Sequence, residues 1–164
     1  MQYLIQGDVD HAGLLQIDQP KSAMGNKAAM IIGRNVTWVN LQKLILRKNN
    51  FSDKVTEVIA ANTSWTNLRI LDLSKNLIEN EGAMRIAQNT VWTSLEELWL
   101  SQNAIGAQGC NAIAMNTYWK KLKVLDLERN CIDSEGAISL GKNSTFSDLE
   151  VVNLGWNLID SQGV

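Results

Sequence analysis

One histidine, His11, two cysteines, Cys110 and Cys131, and 17 carboxylates are the groups from which this 164-residue chain could build an active site. A serine or cysteine nucleophile needs a base within hydrogen-bond reach. His11 stands alone near the N-terminus, so no nucleophile–base pair is expected. Asp72 and Asp126 fall on separate segments, most other carboxylates read as solvated surface charge, and no acid/base pair is expected either. Two cysteines cannot complete a tetrahedral metal site without further ligands, and nothing in their positions brings them together. Both read as small hydrophobes, with neither a disulfide nor a metal. Gly82, Gly109, Gly136 and Gly163 recur outside any phosphate-loop pattern, and they read as permitting close packing or a turn. No cofactor and no catalysis are expected.

Composition narrows the remaining classes. Apolar residues make up 45% and charged residues 20%, with a net charge of −2, which is the balance of an ordered globular chain. A basic excess that would seek nucleic acid or an anionic membrane is missing. The longest apolar stretch, residues 28 to 32, is far short of the roughly 20 residues that span a bilayer. Residues 1 to 8 lack the pattern of a secretory signal. Asn-x-Ser/Thr triplets begin at Asn35, Asn50, Asn62 and Asn143, and three of them belong to a recurring column, so they read as by-products of repetition. The expectation is a cytoplasmic setting, or export by a route without a conventional signal peptide.

The elements that would position any functional residue are repeated. Leucines 41, 68, 95, 122 and 149 are each 27 residues apart. Each opens a segment such as Leu68-Arg69-Ile70-Leu71-Asp72-Leu73-Ser74-Lys75-Asn76, and Phe51, Ile78, Ile105, Ile132 or Ile159 follows two positions after the asparagine. This resembles the leucine-rich repeat, L-x-x-L-x-L-x-x-N-x-I, with five copies in register. The second half of each unit reads as a helix. In residues 133 to 141 an Asp or Ser N-cap precedes an acidic first turn, and Met84, Ile86, Ile113 and Met115 supply apolar positions elsewhere. Strand followed by full helix is similar to the ribonuclease-inhibitor-like class. The resemblance implies an α/β solenoid with a parallel sheet on its concave face and helices on its convex face.

Two further columns complete the unit. Asn35, Asn62, Asn89, Asn116 and Asn143 are expected to end the helices in the left-handed conformation. Trp38, Trp65, Trp92, Trp119 and Phe146 are expected to fill the core between helix and strand layers. The whole chain reads as one domain. Residues 1 to 13 form an eroded repeat or cap, with Asp8 and His11 at the positions of an asparagine and a tryptophan. Repeats span 14 to 40, 41 to 67, 68 to 94, 95 to 121 and 122 to 148, and a partial repeat spans 149 to 164. In the first full unit Leu14, Ile17 and Met24 keep their places and Ser22 replaces the asparagine. The last unit carries no polar cap, so the expectation is either a fragment or an open C-terminal edge covered by a second copy, by another protein or by nothing.

In a strand the leucines face one way and the intervening residues the other. The outward residues form a grid that varies from row to row. Candidate partner-binding residues are Lys43, Ile45, Arg47, Asp72, Lys75, Glu97, Trp99, Asp126, Glu128, Asn153 and Trp156. Trp99 and Trp156 lie outside the core column, two rows or roughly 10 Å apart, and read as aromatic anchors ringed by charge. The resemblance implies a non-catalytic module that recognises a protein on the concave face. Alternatives are a GTPase regulator resembling the Ran GTPase-activating protein, or self-association as a homodimer through Leu154, Leu158 and Ile159 at the C-terminal edge.

Overall fold

The computed structural model describes residues 16–18 and 25–161. The expectations placed on Asp8, His11, Leu14, Ser22, Met24 and Gly163 lie outside the described residues, as does the side chain of Ile17. Six three-residue strands form one parallel sheet in strict chain order: β1 (Gln16–Asp18), β2 (Lys43–Ile45), β3 (Ile70–Asp72), β4 (Glu97–Trp99), β5 (Val124–Asp126) and β6 (Val151–Asn153). Between them run α1 (Gly25–Gly33), α2 (Asp53–Ala60), α3 (Asn80–Ala87), α4 (Ala107–Ala114) and α5 (Ser134–Gly141). Equivalent residues pair across each step, Leu44 with Leu71, Leu71 with Leu98 and Leu98 with Leu125. The chain is therefore an α/β solenoid. Strands stack about 4.8 Å apart and packed helices about 8–10 Å apart, so a stack of such units bends toward its sheet.

The repeated leucines pack inward. Leu41, Leu68, Leu95 and Leu122 are fully buried, as are Leu44, Leu71, Leu98 and Leu125, with Phe51, Ile78, Ile105 and Ile132 beside them. Each such side chain contributes about 1.5–3 kcal/mol on burial. Helices add Ile59, Ile86 and Ile113 to this core, whereas Met115 is 81% exposed because it is the C-cap of α4 rather than part of its inward stripe. Trp65, Trp92 and Trp119 are fully buried, Trp38 and Phe146 nearly so, and Phe146 stacks on Trp119 with centroids 6.4 Å apart. The Nε1–H groups of Trp38, Trp65, Trp92 and Trp119 have no hydrogen-bond partner.

The helices are short, and their ends are tied to neighbouring repeats. Among α2 to α5 only Asp133 caps its own helix, accepting from the Gly136 N–H of α5. At α4 the caps come from the preceding repeat: Asn80 Oδ1 accepts from Gly106 N–H at 2.8 Å and from Gly109 N–H at 2.9 Å. This satisfies donors that a free helix start leaves open. Close packing of the helix start accounts for the glycine there, because a Cβ at Gly109 would lie 2.8 Å from Ile105 Cγ2 and 2.9 Å from Ala83 Cβ.

The asparagines after the helices do not adopt the left-handed conformation. The C-caps are Ala61, Gln88, Met115 and Lys142, all right-handed. Asn89 instead works through its side chain: Oδ1 accepts from Val91 and Trp92 N–H, each at 3.0 Å, and Nδ2 donates to Ala60 O of the previous repeat at 2.7 Å. Asn116 and Asn143 repeat this bridge to Ala87 O and Ala114 O. An amide has both donors and acceptors, so it can hold a turn and clamp the neighbouring helix at once.

Cys110 is buried in α4 and Cys131 is exposed, so only the first behaves as a small core hydrophobe. The column containing Cys131 faces solvent at Leu77 and Leu158 too. Burial, reinforced by the charge of Asp133, pushes the Cys110 thiol up to about 12. Thiol titration with a soluble disulfide reagent is expected to find one reactive group in the native protein and two in denaturant. Rapid reaction of both native thiols would contradict this placement.

Candidate functional site

The residues on the outward face of the sheet are set by strand register. Ile45, Asp72, Trp99, Asp126 and Asn153 are paired neighbours in one row across five strands, and Lys43, Ile70, Glu97, Val124 and Val151 form a second. Arg47 and Glu128 stand just beyond the ends of β2 and β5. After each of β2 to β6 the chain turns through a left-handed residue, Lys48, Lys75, Gln102, Arg129 or Trp156, with φ between 53° and 62°. None is glycine. The conformation is held from the next repeat, for Lys75 N–H donates to Ser101 O at 2.8 Å and Gln102 N–H to Glu128 O at 2.7 Å.

The structure brings five of the candidate residues around one depression of about 610 Å³: Arg47, Asp72, Lys75, Trp99 and Asp126. Lys48, Ser74, Ser101 and Gln102 complete its wall. These four follow the ends of β2, β3 and β4, and the signal that could have singled them out is their place just after the outward row in each repeat. Lys43, Ile45, Glu97, Glu128 and Asn153 stand half-buried outside that depression. Trp156 is 76% exposed at the turn after β6, with the Arg129 guanidinium 5.3 Å from its ring centre.

Two of the candidates are less available than their rows suggest. Asp72 is 8% exposed and Asp126 6%. Asp72 Oδ1 accepts from both the backbone N–H and the hydroxyl of Ser74, and Asp126 Oδ1 accepts from Glu128 N–H at 3.1 Å. Asn153 makes the same bond to Gly155 N–H. This column therefore anchors the turn leading to the left-handed residue, as short Asp and Asn side chains commonly do. The second oxygen of Asp72 faces Arg47 Nη1 at 4.0 Å. Trp99 is half-buried, and its Nε1–H donates to Glu97 Oε2 at 2.9 Å, which fixes the ring against the sheet.

The N-terminal margin of the sheet is electrostatically closed. Arg69 grips Glu96 through Nε to Oε1 at 2.9 Å and Nη2 to Oε2 at 3.0 Å, and Lys123 Nζ lies 4.0 Å from the same carboxylate. The hydrogen bond from Arg69, with the charges of Arg69 and Lys123 behind it, holds the Glu96 carboxyl below the usual glutamate range against the opposing effect of burial. A lowered carboxyl stabilises the fold above the unfolded value of about 4.3, and this contribution is lost as pH falls through the folded value. The stability gap between wild type and Glu96→Gln in urea melts is therefore expected to close on acidification from neutrality. A gap independent of pH would show that the pair contributes nothing through charge.

Among the described residues, no helix is long and apolar enough to cross a membrane. The family model for the Leucine Rich repeat matches residues 66–87, 93–114 and 120–141, which cover α3, α4 and α5 with the strands before them. No curated protein matches the chain.

Proposed function

We propose, on the premise that the chain is a leucine-rich-repeat protein, that the outward face of its sheet holds a partner protein and performs no chemistry of its own. Repeats of this kind serve as protein-interaction modules and are typically non-catalytic. The observation that carries the finer reading is the contrast between the two sides of each strand. The inward positions hold leucine in row after row and are fully buried at β2 to β5, whereas the outward positions run Ile45, Asp72, Trp99, Asp126 and Asn153. Core packing constrains one side, whereas the outward side, apart from the turn-anchoring Asp72, Asp126 and Asn153, is free to be shaped by a ligand. The half-buried Trp99, held by Glu97, supplies the rigid aromatic contact that dominates many interfaces. Trp156 offers a second ring beyond β6. Two free thiols on separate columns support a reducing, cytoplasmic setting.

The test is affinity capture from lysate with the wild-type chain and with a Trp99→Ala, Trp156→Ala control, read by mass spectrometry. A protein captured by wild type and lost with the control supports the reading. Equal capture by both baits would move the binding surface elsewhere. Self-association is a second reading, favoured by exposed Val151, Val152 and Leu158 at the β6 edge, with Leu154 and Ile159 half-buried beside them. Sedimentation that stays monomeric at high concentration would sink it.

A further inference from the structure

Apart from the outward face of the sheet, we propose that the edge beyond β6 is a second docking surface, and that its occupant is the strand edge of a partner protein built of leucine-rich repeats. The partner's strand lies parallel to β6 and brings an asparagine and a cation with it. The seams between repeats set these terms, because the same bonds close them. At the β2–β3 seam Leu46, Lys48 and Phe51 N–H donate to Asp72 O, Ser74 O and Asn76 Oδ1, while Gln42 O accepts from Arg69 and Ile70 N–H and Phe51 O from Leu77 N–H. At the β5–β6 seam Leu127, Arg129 and Ile132 N–H donate to Asn153 O, Gly155 O and Asn157 Oδ1, while Lys123 O accepts from Glu150 and Val151 N–H and Ile132 O from Leu158 N–H. One repeat further on, the corresponding groups are the N–H of Leu154, Trp156 and Ile159 and the carbonyls of Glu150 and Ile159. Among the described residues none of these has such a partner.

Side chains add further conditions. Val152 pairs in register with Leu125, yet it is 43% exposed where Leu125 is fully buried. Leu154 and Ile159 are half-buried where Leu127 and Ile132 are fully so. The occupant therefore turns apolar side chains toward the core, as the leucines of each repeat do. Charge supplies the last condition. Arg69, Glu96, Lys123 and Glu150 alternate in sign along the N-terminal margin, so exposed Glu150 calls for a cation on the next strand. Neither sheet edge of a second copy meets these terms. Its β6 has no amide oxygen to spare, because Asn157 Oδ1 already accepts from Asn130 and Ile132 N–H. Its β1 unit carries Leu15 and Ser22 at the places of the cation and the asparagine. A strand added to an exposed sheet edge takes its affinity from such main-chain bonds and its specificity from alternate side chains.

The test adds to the full chain a synthetic peptide with the sequence of residues 122–132, Cys131 replaced by alanine, which carries Lys123 and Asn130 at the required places. Amide NMR spectra are read with a nitroxide at one end of the peptide or the other. Binding is expected to shift the β6 amides, the N-terminal label broadening Val151 and the C-terminal label Ile159. The Asn130→Ala peptide is expected to bind about tenfold more weakly. Glu150→Lys in the chain is expected to weaken the original peptide, and Lys123→Glu in the peptide to restore it. Reversed labels, or equal binding of the Asn130→Ala peptide, would overturn the proposal, the edge then taking apolar strands without selecting a repeat. Binding that leaves the β6 amides unmoved and is lost in Trp99→Ala would overturn it and place the peptide on the outward face. A chain that dimerises through β6 and excludes the peptide would overturn it in favour of a second copy. Absence of binding would overturn it outright.

Discussion

Asn76→Ala is expected to destabilise the fold by about 4 kcal/mol, because one buried amide serves two repeats. Asn76 Oδ1 accepts from the N–H groups of Asn49 and Phe51, each at 3.0 Å, and Nδ2 donates to Leu73 O at 2.8 Å and to Leu46 O at 3.2 Å. Asn76 and Asn49 are buried and Phe51 is fully so. Alanine leaves two buried donors without acceptors, each at about 1–3 kcal/mol. Asn76→Asp separates the two halves of this role. It keeps the acceptor but turns a second carboxylate oxygen toward the carbonyls that Nδ2 served, so it is expected to be no milder. Urea melts of the three proteins check this, and a loss below about 1 kcal/mol for alanine would mean that water replaces the amide.

The second large effect is expected at Trp92, which is fully buried. Trp92→Ala removes a whole ring from the core and is expected to cost about 3–5 kcal/mol. Trp92→Phe is expected to cost much less than its lost volume alone suggests. The indole Nε1–H has no partner, so its removal relieves a buried donor while the smaller ring leaves a void. The fifth copy already has phenylalanine, Phe146, stacked on Trp119 at an interplanar angle of 16°. Thermal and urea melts rank the variants, and a Phe variant as unstable as alanine would show that ring volume outweighs the unpaired donor.

The stack was legible in the residues because one spacing carries it. Leucine recurring every 27 positions, with isoleucine or phenylalanine after the asparagine, requires strands that pair position for position, as Leu71 and Leu98 do. The tryptophan column was legible by the same logic of repeated apolar types. The asparagines after the helices were misread because asparagine alone suits either a left-handed backbone or a side-chain clamp, and only the neighbouring helix end, such as Ala60 O for Asn89, decides between them. The left-handed column was hidden altogether. Its occupants are lysine, glutamine, arginine and tryptophan, which carry no preference for that conformation, and the hydrogen bond that accompanies it at Lys48, Lys75, Gln102 and Arg129 comes from the next repeat.

The face was legible as a set of rows but not as a set of available groups. Alternation places Asp72 and Asp126 outward, yet each carboxylate is drawn back onto the backbone two residues ahead. Sequence does not reveal this, since the same residue in the same row would be free if the turn were different. Cys131 shows the complementary case: it shares a column with Leu77 and Leu158, and a column of leucines reads as core although this one faces solvent.

Along the described chain each strand pairs only with the strands before and after it, and each helix packs beside the helices of the adjoining repeats. A molecule joined in this way behaves under tension as a chain of links in series. Every inter-repeat seam bears the same pull, so the weakest seam opens first and the links on either side keep their shape. A partner held across several strands would act as a splint over the seams between them, coupling occupancy of the face to resistance against stretching.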